Sequence, residues 1–171
     1  MQLKYSAIEE QLTEALPEIR PAAEHYWSTQ GEPGRDSGPY IFFEDMFACY
    51  VEVLLAMRRS AGRDEFLRRA FTFVEEMLAA GGHVADLAFI GLFEGRPGWW
   101  FREAGEFVGS RAAQELDRSA PYWRNTDATD ETASEIIDLY GVRQLIASLL
   151  SAEGVKTDDV PGNTYIDGAK Q

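Results

Sequence analysis

The residues of this 171-residue chain whose types and spacing suit chemistry gather in or beside one stretch, His83 to Phe101, HVADLAFIGLFEGRPGWWF. His83 and Asp86 stand three apart, a spacing that sets both on one helix face and that occurs in metal sites. No second histidine is near and there is no HExxH. The pair therefore reads first as a turn histidine beside a local cap, and no metal is expected. Glu94 ends an apolar run. A carboxylate half-buried in such a place must find a donor or take up a proton, and catalytic acids sit there. Structural carboxylates sit there too, and Arg96, Arg102 and Arg111 are available partners. The structural role is the commoner one. If Glu94 acts on a small ligand, Trp99 or Trp100 would line the pocket.

Other carboxylates come in adjacent pairs, Glu9–Glu10, Glu44–Asp45 and Glu75–Glu76, and each pair must split across two helix faces. His25 beside Glu24 is no stronger a metal pair than His83 with Asp86. There is no GxSxG, phosphate loop, dinucleotide fingerprint, CxxC or EF-hand loop. An enzyme is thus less expected than a binding protein, and no cofactor is expected. Aromatic residues are plentiful and most belong to a core. Trp99 and Trp100 cannot both face one side of a helix, so one is core and the other covers a groove or a partner. Trp100, Tyr122 and Trp123 lie near loops and are the candidate binding anchors, since Trp and Tyr are enriched at interface hot spots.

Net charge is −13 and is unevenly spread. Residues 1–60 hold ten acids and five bases, 61–125 ten and eight, and 126–171 nine and three. Such a field disfavours nucleic acid and anionic lipid and favours a basic protein partner. Asp127, Asp130 and Glu131 stand in the acidic C-terminal part as candidate steering residues. Solubility alone is the plainer reading of the same charge. Thirteen arginines against three lysines fit a GC-rich bacterial genome.

The length fits one domain large enough to bury a core without disulfides or metal. Hydrophobic residues make up 45%, close to the globular average, so general disorder is not expected. Cys49 is the one cysteine; it reads as a small buried hydrophobe in a reducing compartment. MQLKYSAIEEQ has no signal-peptide core and no run reaches membrane-spanning length, so a cytoplasmic protein is expected.

These residues must be positioned by helices. Leu3, Ile8, Leu12, Ala15 and Leu16 predict a first helix, with Ser6 and Glu9 in the form of a capping box. Pro17 and Pro21 predict a kink or restart before a helix to about Thr29, and Gly31 to Pro39 reads as a loop. A long helix is expected over 40–60 and another over 64–80, ended by Gly81–Gly82. The central helix, 83–94, is apolar almost all round and should be buried on all sides. A helix from Pro97 to about Ser119 carries Gly105 and Gly109 in its interior, each costing about 1 kcal/mol unless close packing or a bend offsets it. Residues 120–129 read as a loop and a last helix as starting near 129. The expectation is an all-α bundle of about six helices, built on antiparallel hairpins around helix 83–94. One domain would span 1–153, with an acidic tail at 154–171.

The element Leu16–Pro17–Glu18, the hairpin over 40–80 and the apolar helix Val84 to Gly95, VADLAFIGLFEG, with its Phe93–Glu94 ending, resemble a family of small uncharacterised bacterial all-helical proteins. The resemblance covers about 16–118. Some members are encoded near toxin systems, which implies an immunity-type role; it implies no catalytic residue. Three functions follow as expectations. The first is a protein-binding, immunity-like module with an acidic surface. The second is a small-ligand protein or enzyme using Glu94. The third is a homo-oligomeric scaffold.

Overall fold

Apolar residues recur at helical spacing along the chain, and helices follow from it. A computed structural model describes residues 2–30, 38–57, 59–96 and 98–123. Among these, seven helical segments follow one another and pack into a compact all-α fold. A 3-10 turn at Tyr5–Ala7 leads into the α-helix Ile8–Ala15, together α1. Leu16 leaves the helical region (φ −128°, ψ 72°), and Pro17 opens the next segment in the first turn, where its missing N–H costs nothing. That segment, α2, is a 3-10 turn at Pro17–Ile19 followed by Arg20–Gln30. The restart expected at Pro17 is observed.

Helix α3 runs through Gly38–Ile41, a π-helical stretch Phe42–Phe47 and Ala48–Ala56. Ser60 caps the N-terminus of α4, Ala61–Ala80, its hydroxyl accepting from the Arg63 N–H at 3.2 Å. Gly81 (φ 72°) and Gly82 (φ 55°) turn the chain into α5, made of Gly82–Ala88 and a second π stretch, Phe89–Phe93. Two shorter helices follow, α6 at Gly98–Ala104 and α7 at Ser110–Trp123. Helix α5 folds back on α4 and meets the π stretch of α3; α6 lies on Ala48–Ala56, α7 and α1 lie on α4, and α2 lies on the π stretch of α3. The centre is aromatic. Phe42, Phe43, Phe47, Phe66 and Trp100 have no exposed surface, and each such side chain contributes about 1.5–3 kcal/mol on burial.

Charged side chains close the helix ends. The guanidinium of Arg63, 2% exposed, donates to the carbonyls of Leu54 (2.6 Å) and Leu55 (3.0 Å) at the end of α3 and to Asp64 (2.7 Å). Arg96 does the same for α5, donating to the carbonyls of Leu92 (3.1 Å) and Gly91 (3.4 Å) and pairing with Glu52 at 2.9 Å. Glu75 of α4 accepts from the backbone N–H of Arg111 (3.2 Å) and Ala112 (2.7 Å) at the start of α7. Each charge sits at the helix end whose unpaired backbone groups it complements.

Four expectations change. No capping box forms, because helical backbone already begins at Tyr5, leaving Ser6 inside the turn. The central helix is not buried all round: Ile90 is 41% exposed, and His83 and Asp86 face solvent. Gly105 and Gly109 do not sit inside one long helix but in the turn between α6 and α7. Residues 120–123, expected in a loop, are the last turn of α7. The helix expected from 129 and the tail at 154–171 lie outside the described residues.

Candidate functional site

A buried charge meets a cleft at the first turn of α1. The chain before it is pinned by Gln11, whose side chain accepts from the Lys4 N–H at 2.9 Å and donates to the Gln2 carbonyl at 3.1 Å. Ile8 and Leu12 then anchor α1 in the core, which carries the neighbouring Glu9 inward; Glu9 is 5% exposed. Its Oε2 accepts from the indole N–H of Trp27 at 2.7 Å. Trp27 is fixed in turn by stacking on Phe42, ring centroids 5.9 Å apart.

Across from this turn lie Gly38 and Pro39, and between them is a cavity of about 260 Å³ that Tyr5, Glu9 and Glu10 also line. Gly38 has φ 66°, a conformation that favours glycine, and a Cβ there would stand 3.9 Å from the Tyr5 hydroxyl. The Tyr5 ring leans on Tyr40 (6.2 Å) and on His83 (5.8 Å).

Burial pushes the Glu9 carboxyl above its ordinary value of 4.5; the Trp27 hydrogen bond pulls it back and the Glu10 charge adds to the rise. Burial, Tyr40 and the Glu9 charge raise the Tyr5 phenol as well. A buried carboxylate served by one neutral donor can do two things at such a place. It takes up a proton, or it takes a cation.

The residues singled out from sequence are scattered. His83 and Asp86 do share a face, 3.8 Å apart, but both are open to water (85% and 61%). Among the described residues no group of three or more His, Cys, Asp or Glu side chains could hold a metal ion. His25 and Glu24 are exposed on α2. Glu94 is exposed, not half-buried: the wide last turn of α5, closed by Glu94 N–H donating to the Phe89 carbonyl at 3.0 Å, carries it past the core before the chain turns extended (ψ 135°).

Trp100 is not an exposed anchor. It has no exposed surface and packs edge-on against Phe71, Phe93 and Phe101 at 5.3–6.0 Å. Trp99 is the half-buried member of the pair. The short α6 turns Trp100 and Ala104, four apart, to the core together. Tyr122 and Trp123 belong to the last turn of α7, and their side chains lie outside the described residues, as do Asp127, Asp130 and Glu131.

Glu9 was hidden by its neighbours. The expected split of Glu9–Glu10 across two faces is observed, with Glu9 inward and Glu10 outward. The usable signal was Glu9 beside Ile8 and one turn before Thr13, which is also buried. The Ser6–Glu9 capping pattern pointed the carboxylate elsewhere. Comparison of the chain with protein-family models, with curated protein sequences and with solved structures finds no match.

Proposed function

We propose that this chain is a protein-binding module that takes a basic partner on an acidic surface, in the manner of a toxin-immunity protein. The observation that carries the reading is where the cations go. Arg59, Arg63, Arg68, Arg69, Arg96, Arg111 and Arg118 are held in ion pairs with the chain's own carboxylates, and among the described residues only Lys4, Arg20 and Arg102 are exposed cations without one. Glu10, Glu14, Glu24, Glu44, Glu76, Glu94, Glu103 and Asp117 are exposed, and none of them has an ion pair among the described residues. The excess of negative charge therefore faces outward, where it steers a positive partner.

No helix among the described residues is long and apolar enough to cross a membrane, which fits a partner met in water. The reading through Glu94 loses its support, since that carboxylate is open to solvent and Trp100 is sealed in the core.

The test is association kinetics with the captured partner. Charge reversal at Glu14 and Glu24, and separately at Asp127, Asp130 and Glu131, should slow association at low salt and leave dissociation nearly unchanged. On-rates unchanged in both series would contradict the proposal. Light scattering over a concentration range separates it from self-assembly: a mass that rises with concentration favours the scaffold reading.

A further inference from the structure

We propose that the cleft between the first turn of α1 and Gly38–Pro39 seats one alkyl cation, the ammonium or guanidinium group of a lysine or arginine side chain of the partner. This rests on reading the protein as a binder of a basic protein. Three side chains of α1, Glu9, Glu10 and Tyr5, line it. Glu9 is buried and lines the cleft, yet among the described residues its carboxylate receives only the neutral Trp27 donor. A carboxylate has about four lone-pair sites, so the single Trp27 N–H leaves room for further donors. Among the described residues no cation forms an ion pair with Glu9 or Glu10.

Glu10 adds a second carboxylate at the exposed rim. Tyr5 supplies an aromatic wall of the kind on which cations settle. The volume, about 260 Å³, is below that of drug-sized sites and suits a single side chain. The bound cation would set its charged head against Glu9 and lay its aliphatic stem along Tyr5 and Pro39. Glu9, already held by Trp27, needs no rearrangement to receive it.

The experiment uses the full chain labelled with nitrogen-15 and reads the Trp27 indole N–H resonance, assigned by Trp27→Phe. Because this N–H donates to Glu9, a cation on the carboxylate weakens the bond and moves the resonance. Butylammonium and ethylguanidinium chloride are titrated at fixed ionic strength, with butanol as the neutral control. The expected result is a saturable shift with both cations and none with butanol. Glu9→Gln, which keeps an acceptor for Trp27, should weaken the apparent affinity at least about tenfold, with spectral dispersion confirming the fold. Glu10→Gln, at an exposed position, should weaken it about threefold.

A blocked Gly-Arg-Gly peptide should bind at least as well as ethylguanidinium. No shift with either cation, an equal shift with butanol, or full binding by Glu9→Gln would overturn the proposal. Binding of free butylammonium without binding of the peptide would overturn the protein source and assign the cleft to a small amine. If the cations fail while a basic protein is still captured in a salt-sensitive way, the cleft inference falls alone. If cations bind and capture fails, the partner reading falls.

Discussion

Glu9 is a group that folding places at a disadvantage near neutral pH. Its folded-state pKa lies above the ordinary 4.5, so between the unfolded and folded values the folded chain holds a proton that the unfolded chain has lost. Stability from this group rises as pH falls from above the folded value to about 4.5 and is level below it. Glu18 and Asp64 act in the opposite direction. Burial raises both, but the Arg69 pairing outweighs it at Glu18, and the Arg63 and Arg59 pairings do at Asp64. Their contribution is complete above the unfolded values and is lost as pH falls through the folded ones. Glu9→Gln should therefore melt higher than the parent at pH 7, with the difference shrinking to near zero below pH 4.5, as read by calorimetry across pH. A constant difference at every pH would contradict the assigned burial. Arg63 is the counter-case, a buried charge whose hydrogen bonds are made. Arg63→Ala should cost about 3 kcal/mol in urea unfolding, because two helix-end carbonyls lose charge-assisted donors. Sequence shows Glu9 and Arg63 as ordinary surface types. Contact with Trp27 and with the end of α3 encloses them, and for Glu9 the one hint in spacing is its place beside Ile8 and a turn before Thr13.

At the scale of the helix, two features depend on single glycines. Where α3 and α5 cross, their π stretches meet, and a Cβ on Gly91 would stand 3.0 Å from the Phe43 Cβ. Gly91→Ala should cost about 1–3 kcal/mol through overpacking, measured by thermal unfolding; an unchanged melting temperature would mean the helices separate freely. Gly109 makes room for a different purpose. A Cβ there would meet the Glu75 side chain at 2.5–2.9 Å, displacing the carboxylate that caps α7. Glu75→Ala should cost about 1 kcal/mol as a lost cap. Gly109→Ala should cost a similar amount, and the double variant little more than either, because both remove one interaction. Full additivity would separate the two. The helix order, the restart at Pro17 and the Gly81–Gly82 turn were legible in the sequence, since period and breakers are local signals. The π stretches were not. The pattern Phe42, Phe43, Met46, Phe47 fits an α-helical stripe as well, and the wider turn is seen only in the fold, where this stretch meets Gly91. The break at Gly105–Gly109 was legible as a cost but not as a gap, because its partner, Glu75, is more than thirty residues away.

The whole molecule is organised by how it spends its arginines. Arg69 reaches Glu18 across 51 residues and Arg96 reaches Glu52 across 44, so the pairing that leaves the surface acidic is a property of the fold. The total of −13 was plain from composition; which carboxylates remain uncompensated was not. Surface charges of this kind act through a screened field with a reach of about 10 Å at 0.1 M salt, and the account stands or falls on whether that field recruits a partner. The most direct measurement is affinity capture from the source lysate at low and moderate salt, using the full chain and a Glu14→Gln, Glu24→Gln variant that removes only exposed charge. The account predicts one basic protein, recovered in stoichiometric amount at low salt, reduced at moderate salt and reduced again by the variant. No basic protein at either salt, or one held equally by the variant with no response to salt, would contradict it.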